Sequence, residues 1–338
     1  MVEKLLAGPS ECIGLDVGST SIKAALVGRK PNGFKLLQTV IEPLPPSADA
    51  ALRAQTIRRT FQLLGKKDLP IVSAVGGQGT VVRTVQLPDM SAQELKAALA
   101  FEAEKYIPFK LEDAFFDSSI LDKKLGGKME VLLAAARKDL VSGHLEILSS
   151  ADLVPSVLDL ESLALANLWD ITHPAASAGM VALLHIGARG TILNFFQGKQ
   201  LQFTREIPFG GDQFTQALAE RFQIEIPLAE KLKCQPSQRL EEVREALQSC
   251  CEEWFSQCRV SLDFFENQFG QKVDRLALSG GSSHLIDLKD RLQETMGVPV
   301  EDWNPLSGFS LEGSLQQNLP NGPVLAVAIG LALHEAAR

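Results

Sequence analysis

Three short turns rich in glycine and hydroxyl side chains carry the residues best suited to chemistry. They are DVGSTS at 16–21, HIGARGT at 185–191 and SGGSS at 279–283. Phosphate oxygens need several donors converging on one point, and backbone N–H groups of a tight turn supply them where glycine leaves no Cβ in the way. One such turn is typical of an ordinary hairpin. Three of them, with added hydroxyls from Ser19, Thr20 and Thr191, predict a phosphate-binding site.

A carboxylate stands at the start of the first turn. Asp16 follows an apolar run that predicts a strand, so its side chain lies at a strand end. A carboxylate there can hold Mg²⁺ through water, because this ion keeps much of its hydration shell. The sequence contains neither a Walker A motif nor a G-x-G-x-x-G motif that would indicate another nucleotide fold.

The elements around these turns are duplicated. Residues 12–27 predict strand, turn and strand before a third strand, and the segment from Met180 to Ile207 repeats that order. Asp16 and His185 hold equivalent places, each followed two residues later by glycine. A buried strand precedes the third turn, and an apolar helix ends the chain. The repeat predicts two similar lobes.

A segment with a different order of secondary structure elements, 82–153, interrupts the first lobe. It predicts strand, helix, two strands and helix, and its first helix, expected over 91–107, begins with a capping box of Ser91 and Glu94. A short linker, HPAASAG at 173–179, precedes the second lobe.

Bulk properties exclude several classes of function. A chain of 338 residues is long enough for two or more domains, and its net charge of −8 with scattered basic residues disfavours binding to nucleic acid or anionic lipid. The longest apolar stretch, 324–333, is about half of a membrane span, and the first residues do not resemble a signal peptide. The five cysteines show no metal-ligand or redox spacing, so we expect core cysteines in a reducing cytosol.

The turns resemble the phosphate-one, phosphate-two and adenosine motifs of actin, Hsp70 and sugar kinases. Nearly the whole chain resembles the PilM family, the actin-like proteins of type IV pilus assembly, which are related to FtsA and MreB. The specific marks are RTVQLP at 83–88, FEAEKYIPF at 101–109, VLDLESLALAN at 157–167, IPFGGDQFT at 207–215, AEKLK at 229–233 and LSGGSSHL at 278–285.

This resemblance implies an α/β, actin-like (ribonuclease H-like) fold of two duplicated lobes with a small βαββα insertion. The implied first-lobe core is 1–81 with 154–178 and the C-terminal helix 323–338, and the insertion 82–153 sits on that lobe. The second-lobe core is 179–210 with 276–322, and 211–275 forms its capping subdomain.

The resemblance also assigns ATP and Mg²⁺ to matched positions. It places Asp16, Gly18, Ser19 and Thr20 at phosphate and at Mg²⁺ through water, Gly187 and Thr191 at phosphate, and Gly280, Gly281 and Ser282 at adenosine. Glu230 and Lys233 would reach the ribose or base, although their spacing equally predicts an ion pair on one helix face.

Catalysis is less clearly implied. Glu161 lies where relatives position the attacking water, so it is a candidate general base, but it also suits a helix N-terminal acid, as does Asp159. His185 stands where an aspartate is expected, and a neutral imidazole cannot replace a carboxylate near magnesium. It is either a packed histidine or a protonated phosphate contact. Arg189 either contacts the γ-phosphate or is solvated. We expect weak or absent ATP hydrolysis.

The implied function is assembly of type IV pili at the inner face of the cytoplasmic membrane. The cytoplasmic protein would dock the short N-terminal tail of a PilN-like inner-membrane protein near the insertion, and contacts with pilus motor ATPases and self-association are consistent with that role. Two alternatives are a small-molecule kinase, for which no acceptor-binding constellation is found, and a nucleotide-free type II secretion scaffold, whose relatives carry a membrane span and degraded turns.

Overall fold

The computed structural model describes residues 10–45, 47–66, 68–102, 105–124, 127–173, 179–236, 239–318 and 321–336. Their strands are β1 Glu11–Val17, β2 Ser21–Lys30, β3 Gly33–Pro43, β4 Ile71–Val75, β5 Thr80–Pro88, β6 Ala114–Lys124, β7 Lys128–Arg137, β8 Val157–Leu160, β9 Met180–Ile186, β10 Thr191–Gln197, β11 Gln200–Ile207, β12 Arg275–Ser279, β13 Val300–Asp302 and β14 Phe309–Leu311. Their α-helices are α1 Ala50–Leu64, α2 Ala92–Glu102, α3 Lys138–Ser150, α4 Glu161–Thr172, α5 Gly211–Phe222, α6 Ile226–Cys234, α7 Leu240–Phe269, α8 Leu288–Met296, α9 Gly313–Gln317 and α10 Gly322–Ala336.

The first sheet has six strands in the order β14-β3-β2-β1-β4-β8. The predicted meander is present, with β1, β2 and β3 antiparallel, while β4 and β8 continue from β1 in parallel. β1 is apolar and buried because helices cover both of its faces. Ile13 and Leu15 share a core with α1 residues, and α10 crosses the other face at Gly14. A Cβ at Gly14 would lie 1.9 Å from the carbonyl oxygen of Ala328, so only glycine permits this approach.

The second sheet repeats the meander and extends much further. Its eight strands run β13-β12-β9-β10-β11-β5-β7-β6. β9, β10 and β11 are antiparallel, and β12 joins β9 in parallel so that Ser279 lies opposite His185. Helices α5 to α8 cover the outer face of this sheet. There Trp254 and Phe265 of α7 are fully buried, and Phe265 stacks on Phe195 of β10.

The insertion has the predicted βαββα order, but it is attached to both lobes. β5 pairs with β11 of the second lobe at Arg83 and Phe203, so the insertion's strands prolong the second sheet. On the other side α3 packs on α1, where Leu148 enters the first-lobe core. The insertion 82–153, predicted to sit on the first lobe, thus contacts that lobe through α3 and also extends the sheet of the second lobe.

The first helix of the insertion is shorter than predicted. α2 runs from Ala92 to Glu102, with the expected hydrogen bond between Ser91 and Glu94, and Lys105 to Phe109 follow in turns. Ile107 packs against Val81 and Ala135, a contact separate from the one that α2 makes through Leu95 and Leu99. Pro108 and this second contact keep the chain from continuing as one helix.

The prediction that the cysteines lie in the core is confirmed in part. Cys12, Cys251 and Cys258 are buried as expected, whereas Cys234 is exposed. Residues 174–178 of the predicted linker and 237–238 of the predicted capping subdomain lie outside the described residues. Among the helices that the structure describes, none has the length and apolar character to cross a membrane.

Candidate functional site

The first turn is built around an ion pair at the end of β1. Lys23 lies opposite Asp16 in the antiparallel register, and its Nζ is 2.9 Å from Asp16 Oδ2 with both side chains largely buried. A Cβ at Gly18 would come within 2.9 Å of the same Nζ. Glycine therefore leaves room for Lys23 beside the turn. Lys23 was not among the residues predicted from the motifs, although a lysine seven residues after Asp16 across a tight hairpin was a usable signal.

Ser19 and Thr20 remain accessible beside this pair. Ser19 is half-buried and Thr20 is exposed. The Thr20 carbonyl oxygen accepts a hydrogen bond of 2.8 Å from the Leu44 N–H, which fixes the backbone of the turn to the segment after β3. The two hydroxyls are thus held by a rigid backbone while facing outward, as a phosphate contact requires.

The second turn is locked to the start of α5. Gly187 N–H donates to the Gly190 carbonyl at 2.9 Å, and Gly211 N–H donates to the Gly187 carbonyl at 2.9 Å. A Cβ at Gly210 would lie 2.6 Å from the Gly187 oxygen. Gly210 and Gly211 therefore belong to the candidate site. Both lie in the motif IPFGGDQFT, but the sequence analysis assigned them no role.

Thr191 does not face the cleft, which corrects its assignment to phosphate. It is 1% exposed, its hydroxyl donates to the Phe209 carbonyl at 2.7 Å, and it accepts from the Trp254 indole N–H at 3.0 Å. Both capacities of the hydroxyl are used within the second-lobe core. The side chain stabilises the packing of α7 on the second meander instead of binding a ligand.

The third turn closes against the second. Gly280 has φ of +88°, and a Cβ there would lie 2.3 Å from the Ile186 carbonyl oxygen. Both the backbone conformation and the close approach require glycine. The turn carries Ser282, whose Oγ would be 2.5 Å from a Cβ at Gly211. The second and third turns and the start of α5 therefore converge on one place, with Gly281 exposed at its edge.

Glu230 and Lys233 reach this place from α6. Their side chains form the predicted ion pair, with Nζ 2.7 Å from Oε2. Lys233 also donates to the Gly211 carbonyl at 3.1 Å and to the Thr215 hydroxyl at 2.8 Å. Its ammonium group is thus held beside Ser282 and Gly211. The predicted ion pair is present, and it lies next to the second and third turns.

Glu161 lies at the first position of α4, facing the first turn. A Cβ at Gly76 would approach its carboxyl to 2.5 Å, so glycine makes space for it. Burial raises the pKa of Glu161 to about 8, and the nearby carboxylates of Asp16 and Glu206 add to that effect while Lys23 opposes it. Near neutral pH Glu161 is therefore mainly protonated, a state in which it cannot accept a proton from water.

Asp159 is used differently. One of its oxygens accepts from the Leu160 N–H at 2.7 Å and the other lies 3.1 Å from His334 Nδ1 on α10. Asp159 thus joins β8 to the C-terminal helix.

His185 is a buried neutral histidine. Burial lowers its pKa to about 4, against the opposing influence of Asp16, and its Nδ1 lies 3.4 Å from the Ser279 hydroxyl. The lowered pKa and the neighbouring Ser279 hydroxyl favour the packed histidine over the protonated phosphate contact. The influence of Asp16 on the pKa of His185 is consistent with the first and second turns lying near each other.

Comparisons with known proteins agree with this architecture. A family profile for the type IV pilus assembly protein PilM matches residues 14–336. A solved structure described as "PilM-PilN type IV pilus biogenesis complex" is similar at 30% identity and a TM-score of 0.84, covering 97% of this chain and 99% of that chain.

More distant structures share the fold alone. The ethanolamine utilization protein EutJ from Carboxydothermus hydrogenoformans has a TM-score of 0.57 at 16% identity, covering 96% of this chain and 90% of that chain. MreB 5 of Spiroplasma citri bound to AMPPNP has a TM-score of 0.52 at 12% identity, covering 97% and 96%. The predicted actin-like fold is confirmed. Because the PilM profile spans nearly the whole sequence, the chain belongs to the PilM family of type IV pilus assembly proteins.

Proposed function

We propose that this PilM-family protein is a cytoplasmic component of pilus assembly that binds ATP between its lobes and hydrolyses it weakly or not at all. The observation that carries the proposal is the convergence of three glycine turns from two lobes. Gly187, Gly211 and Ser282 meet Lys233 on the second lobe, and the turn that begins at Asp16 faces them from the first.

The space at these turns suits a nucleotide. The positions of Gly18, Gly210, Gly211 and Gly280 each lie where a Cβ would collide with a neighbouring turn or side chain, so the cradle stays lined by backbone. Such a lining offers N–H donors to phosphate. Ser282, Glu230 and Lys233 would hold the adenosine end, and Ser19 and Thr20 would hold phosphate.

Asp16 is the residue that would hold Mg²⁺, through water. Its carboxylate pairs with the Lys23 ammonium group at 2.9 Å, a contact that supports a cation site at this position. A bound Mg²⁺ would neutralise phosphate charge. Lys23 would then be free to turn toward the phosphates.

Weak hydrolysis follows from the protonation states of two side chains. Neutral His185 supplies no negative charge where an aspartate is expected, and Glu161, with its pKa raised by burial, holds its proton near neutral pH. Both features favour nucleotide binding over turnover.

Thermal unfolding with and without nucleotide tests the proposal. At ligand concentrations a hundredfold above Kd, binding adds about 2.7 kcal/mol to the free energy of unfolding. We expect Mg-ATP to raise Tm of the native protein and Asp16→Asn to lose most of that rise. A native melting curve that millimolar Mg-ATP leaves unchanged excludes ATP binding.

We further propose that the insertion docks the short N-terminal tail of a PilN-like membrane protein. A similar structure is a PilM-PilN complex. Exposed apolar side chains occur on the insertion at Phe115, Phe116 and Leu121 of β6 and at Leu145 of α3. β6 is an edge strand of the second sheet, so its outer backbone groups are available to an extended peptide.

A synthetic tail peptide measures this docking. Phe115→Lys and Leu145→Lys place charges on exposed positions, so the fold is expected to persist while peptide affinity falls. Val260→Lys on α7, an equally exposed apolar position of the second lobe, serves as the control. If both insertion variants bind the peptide as tightly as the native protein does, the docking site lies outside the insertion.

A further inference from the structure

A buried hydroxyl group joins the two helices that meet at the second and third turns. Thr215 of α5 is 3% exposed, and its Oγ1 lies 2.5 Å from Glu230 Oε2 of α6 and 3.0 Å from the Gly211 carbonyl oxygen. A hydroxyl group has a single proton to donate. The carboxylate is the nearer acceptor and carries a charge, so it forms the stronger hydrogen bond. Thr215 therefore donates its proton to Glu230.

Lys233 uses its whole ammonium group inside the protein. An ammonium group has three N–H donors and accepts nothing. Three acceptors surround it: Glu230 Oε2 at 2.7 Å, the Thr215 hydroxyl at 2.8 Å and the Gly211 carbonyl at 3.1 Å. The side chain is only 9% exposed. Lys233 therefore has no N–H left to donate to a ligand, although the sequence motif placed it at the nucleotide.

Glu230 keeps one oxygen for another partner. Its Oε2 accepts from Lys233 and Thr215, whereas its Oε1 has only the Cys234 thiol as a donor, at 3.6 Å, within the part of the chain that the structure describes. The Glu230 side chain is 50% exposed. Burial alone would raise the pKa of Glu230, but the hydrogen bonds from Lys233 and Thr215 outweigh burial and lower it. Oε1 is thus a charged acceptor open to a hydrogen-bond donor.

The place of Glu230 indicates which donor. A carboxylate repels phosphate, so the part of a nucleotide beside Glu230 must carry hydroxyl or amino groups. Lys233 ties Glu230 to Gly211, whose N–H donates to Gly187 in the second turn. Glu230 therefore lies next to a turn suited to phosphate, and the sugar is the group that follows the phosphates in a nucleotide.

We infer that Thr215 is a positioning residue of the nucleotide site. Together with Lys233 it orients Glu230 so that Oε1 accepts a hydrogen bond from a sugar hydroxyl, which makes the cleft prefer ribonucleotides to deoxyribonucleotides. Lys233 acts through Glu230 and does not touch the ligand. This inference rests on the proposed ATP binding.

Calorimetric titrations with the magnesium complexes of ATP, 2′-deoxy-ATP and 3′-deoxy-ATP test the role of Thr215. We expect the native protein to bind ATP about tenfold more tightly than at least one deoxynucleotide, the value of one hydrogen bond to a charged group. Thr215→Val keeps the shape of the side chain and removes the hydroxyl. It should lose most of this preference through weaker ATP binding, with the affinity for the same deoxynucleotide nearly unchanged.

Two further variants separate positioning from packing. Thr215→Ser keeps the hydroxyl and should retain the preference. Thr60→Val is the matched control, because Thr60 is also buried in a helix and donates to the carbonyl four residues earlier, that of Thr56, at 2.9 Å. It should retain the preference as well.

Glu230→Ala tests the same inference at a half-exposed position, so it gives an answer even if Thr215→Val unfolds. It should abolish the preference, and adding Thr215→Val to it should change the ratio of the affinities no further, because Thr215 acts through Glu230.

The possible results distinguish this inference from the proposed function. A native protein that binds none of the three nucleotides overturns both. Equal native affinity for all three, an unchanged preference in Glu230→Ala, or equal losses for all three in Thr215→Val overturns the positioning role and leaves ATP binding in place.

Discussion

A partly buried group of charged side chains sets the protonation of the site. Asp16, Glu161 and Glu206 lie near one another, and Lys23 is paired with Asp16. Glu206 is further held by the Thr80 hydroxyl, which donates to it at 2.8 Å. Ionisation of all three carboxyl groups beside a single ammonium group would cost much free energy, because water is largely excluded from them. Glu161 is the one that keeps its proton.

Replacing Glu161 should reveal this proton as a pH-dependent stability difference. The pKa of Glu161 is raised from 4.5 to about 8 by burial, so the unfolded chain releases its proton before the folded chain does. Between these pH values the wild type loses stability that Glu161→Gln, with no proton to lose, retains. We expect the Tm advantage of the variant to be absent near pH 4.5, to grow up to about pH 8 and then to level off.

Glu294→Gln on α8, an exposed glutamate, is the control and should show no such trend. A Tm difference for Glu161→Gln that stays constant across this pH range would mean that Glu161 is ionised in the folded protein, contrary to our interpretation.

His185→Asp should make stability depend on Mg²⁺. The change places a second carboxylate near Asp16 in a buried position, so the free protein should melt at a lower temperature. Mg-ATP should then raise Tm by more than in the wild type and increase ATP turnover. His185→Asn, similar in size and uncharged, should show neither effect. If the aspartate variant responds to Mg-ATP no more than the asparagine variant does, His185 does not limit the proposed ATP hydrolysis.

The sequence predicts residues that belong to local turns better than residues that meet through the fold. Asp16, Gly187 and Gly280 follow from their motifs, and the structure brings their turns together. The buried role of Thr191 depends on Trp254, 63 residues away, and could not be inferred from a turn motif.

At the scale of elements, close contact of α10 with its neighbours holds the first lobe together. α10 is almost entirely buried between β1 and α4. Gly330 faces α4, and a Cβ there would lie 2.0 Å from the Ala164 carbonyl oxygen. The small residues noted in the C-terminal sequence are therefore explained by backbone approach.

Two glycine-to-alanine changes should have opposite effects on stability. Gly143 lies exposed within α3 with nothing within 4 Å of an added Cβ, so Gly143→Ala should stabilise by about 1 kcal/mol through helix propensity. Gly330→Ala gains the same propensity but forces α10 away from α4, at a cost of about 1–3 kcal/mol or more. Chemical denaturation measures both. Equal stabilisation by the two changes would show that α10 does not approach α4 so closely.

The sequence pattern predicted the helices and strands more reliably than it predicted which of them lie side by side. Apolar alternation and glycine turns identified both meanders and the βαββα order. The end of α2 and the pairing of β5 with β11 were missed, because a strand's pattern shows which faces are buried and not which strand lies beside it.

For the whole molecule, the insertion and the cleft form one connected body. His144 of α3 lies 2.9 Å from the Ser73 hydroxyl, which donates to the Leu15 carbonyl beside Asp16. Val82, Ala136 and Val141 of the insertion belong to the central core. A surface proposed for a membrane partner is thus connected, through Ser73 of β4, to the strand that carries the first glycine turn.

Titration of Mg-ATP into the purified protein by isothermal calorimetry is the direct test of ATP binding between the lobes. We expect saturable binding of one nucleotide per chain, strongly weakened in Asp16→Asn while that variant remains folded. Absence of saturable heat with the native protein, at concentrations of protein and Mg-ATP in the millimolar range, would contradict it.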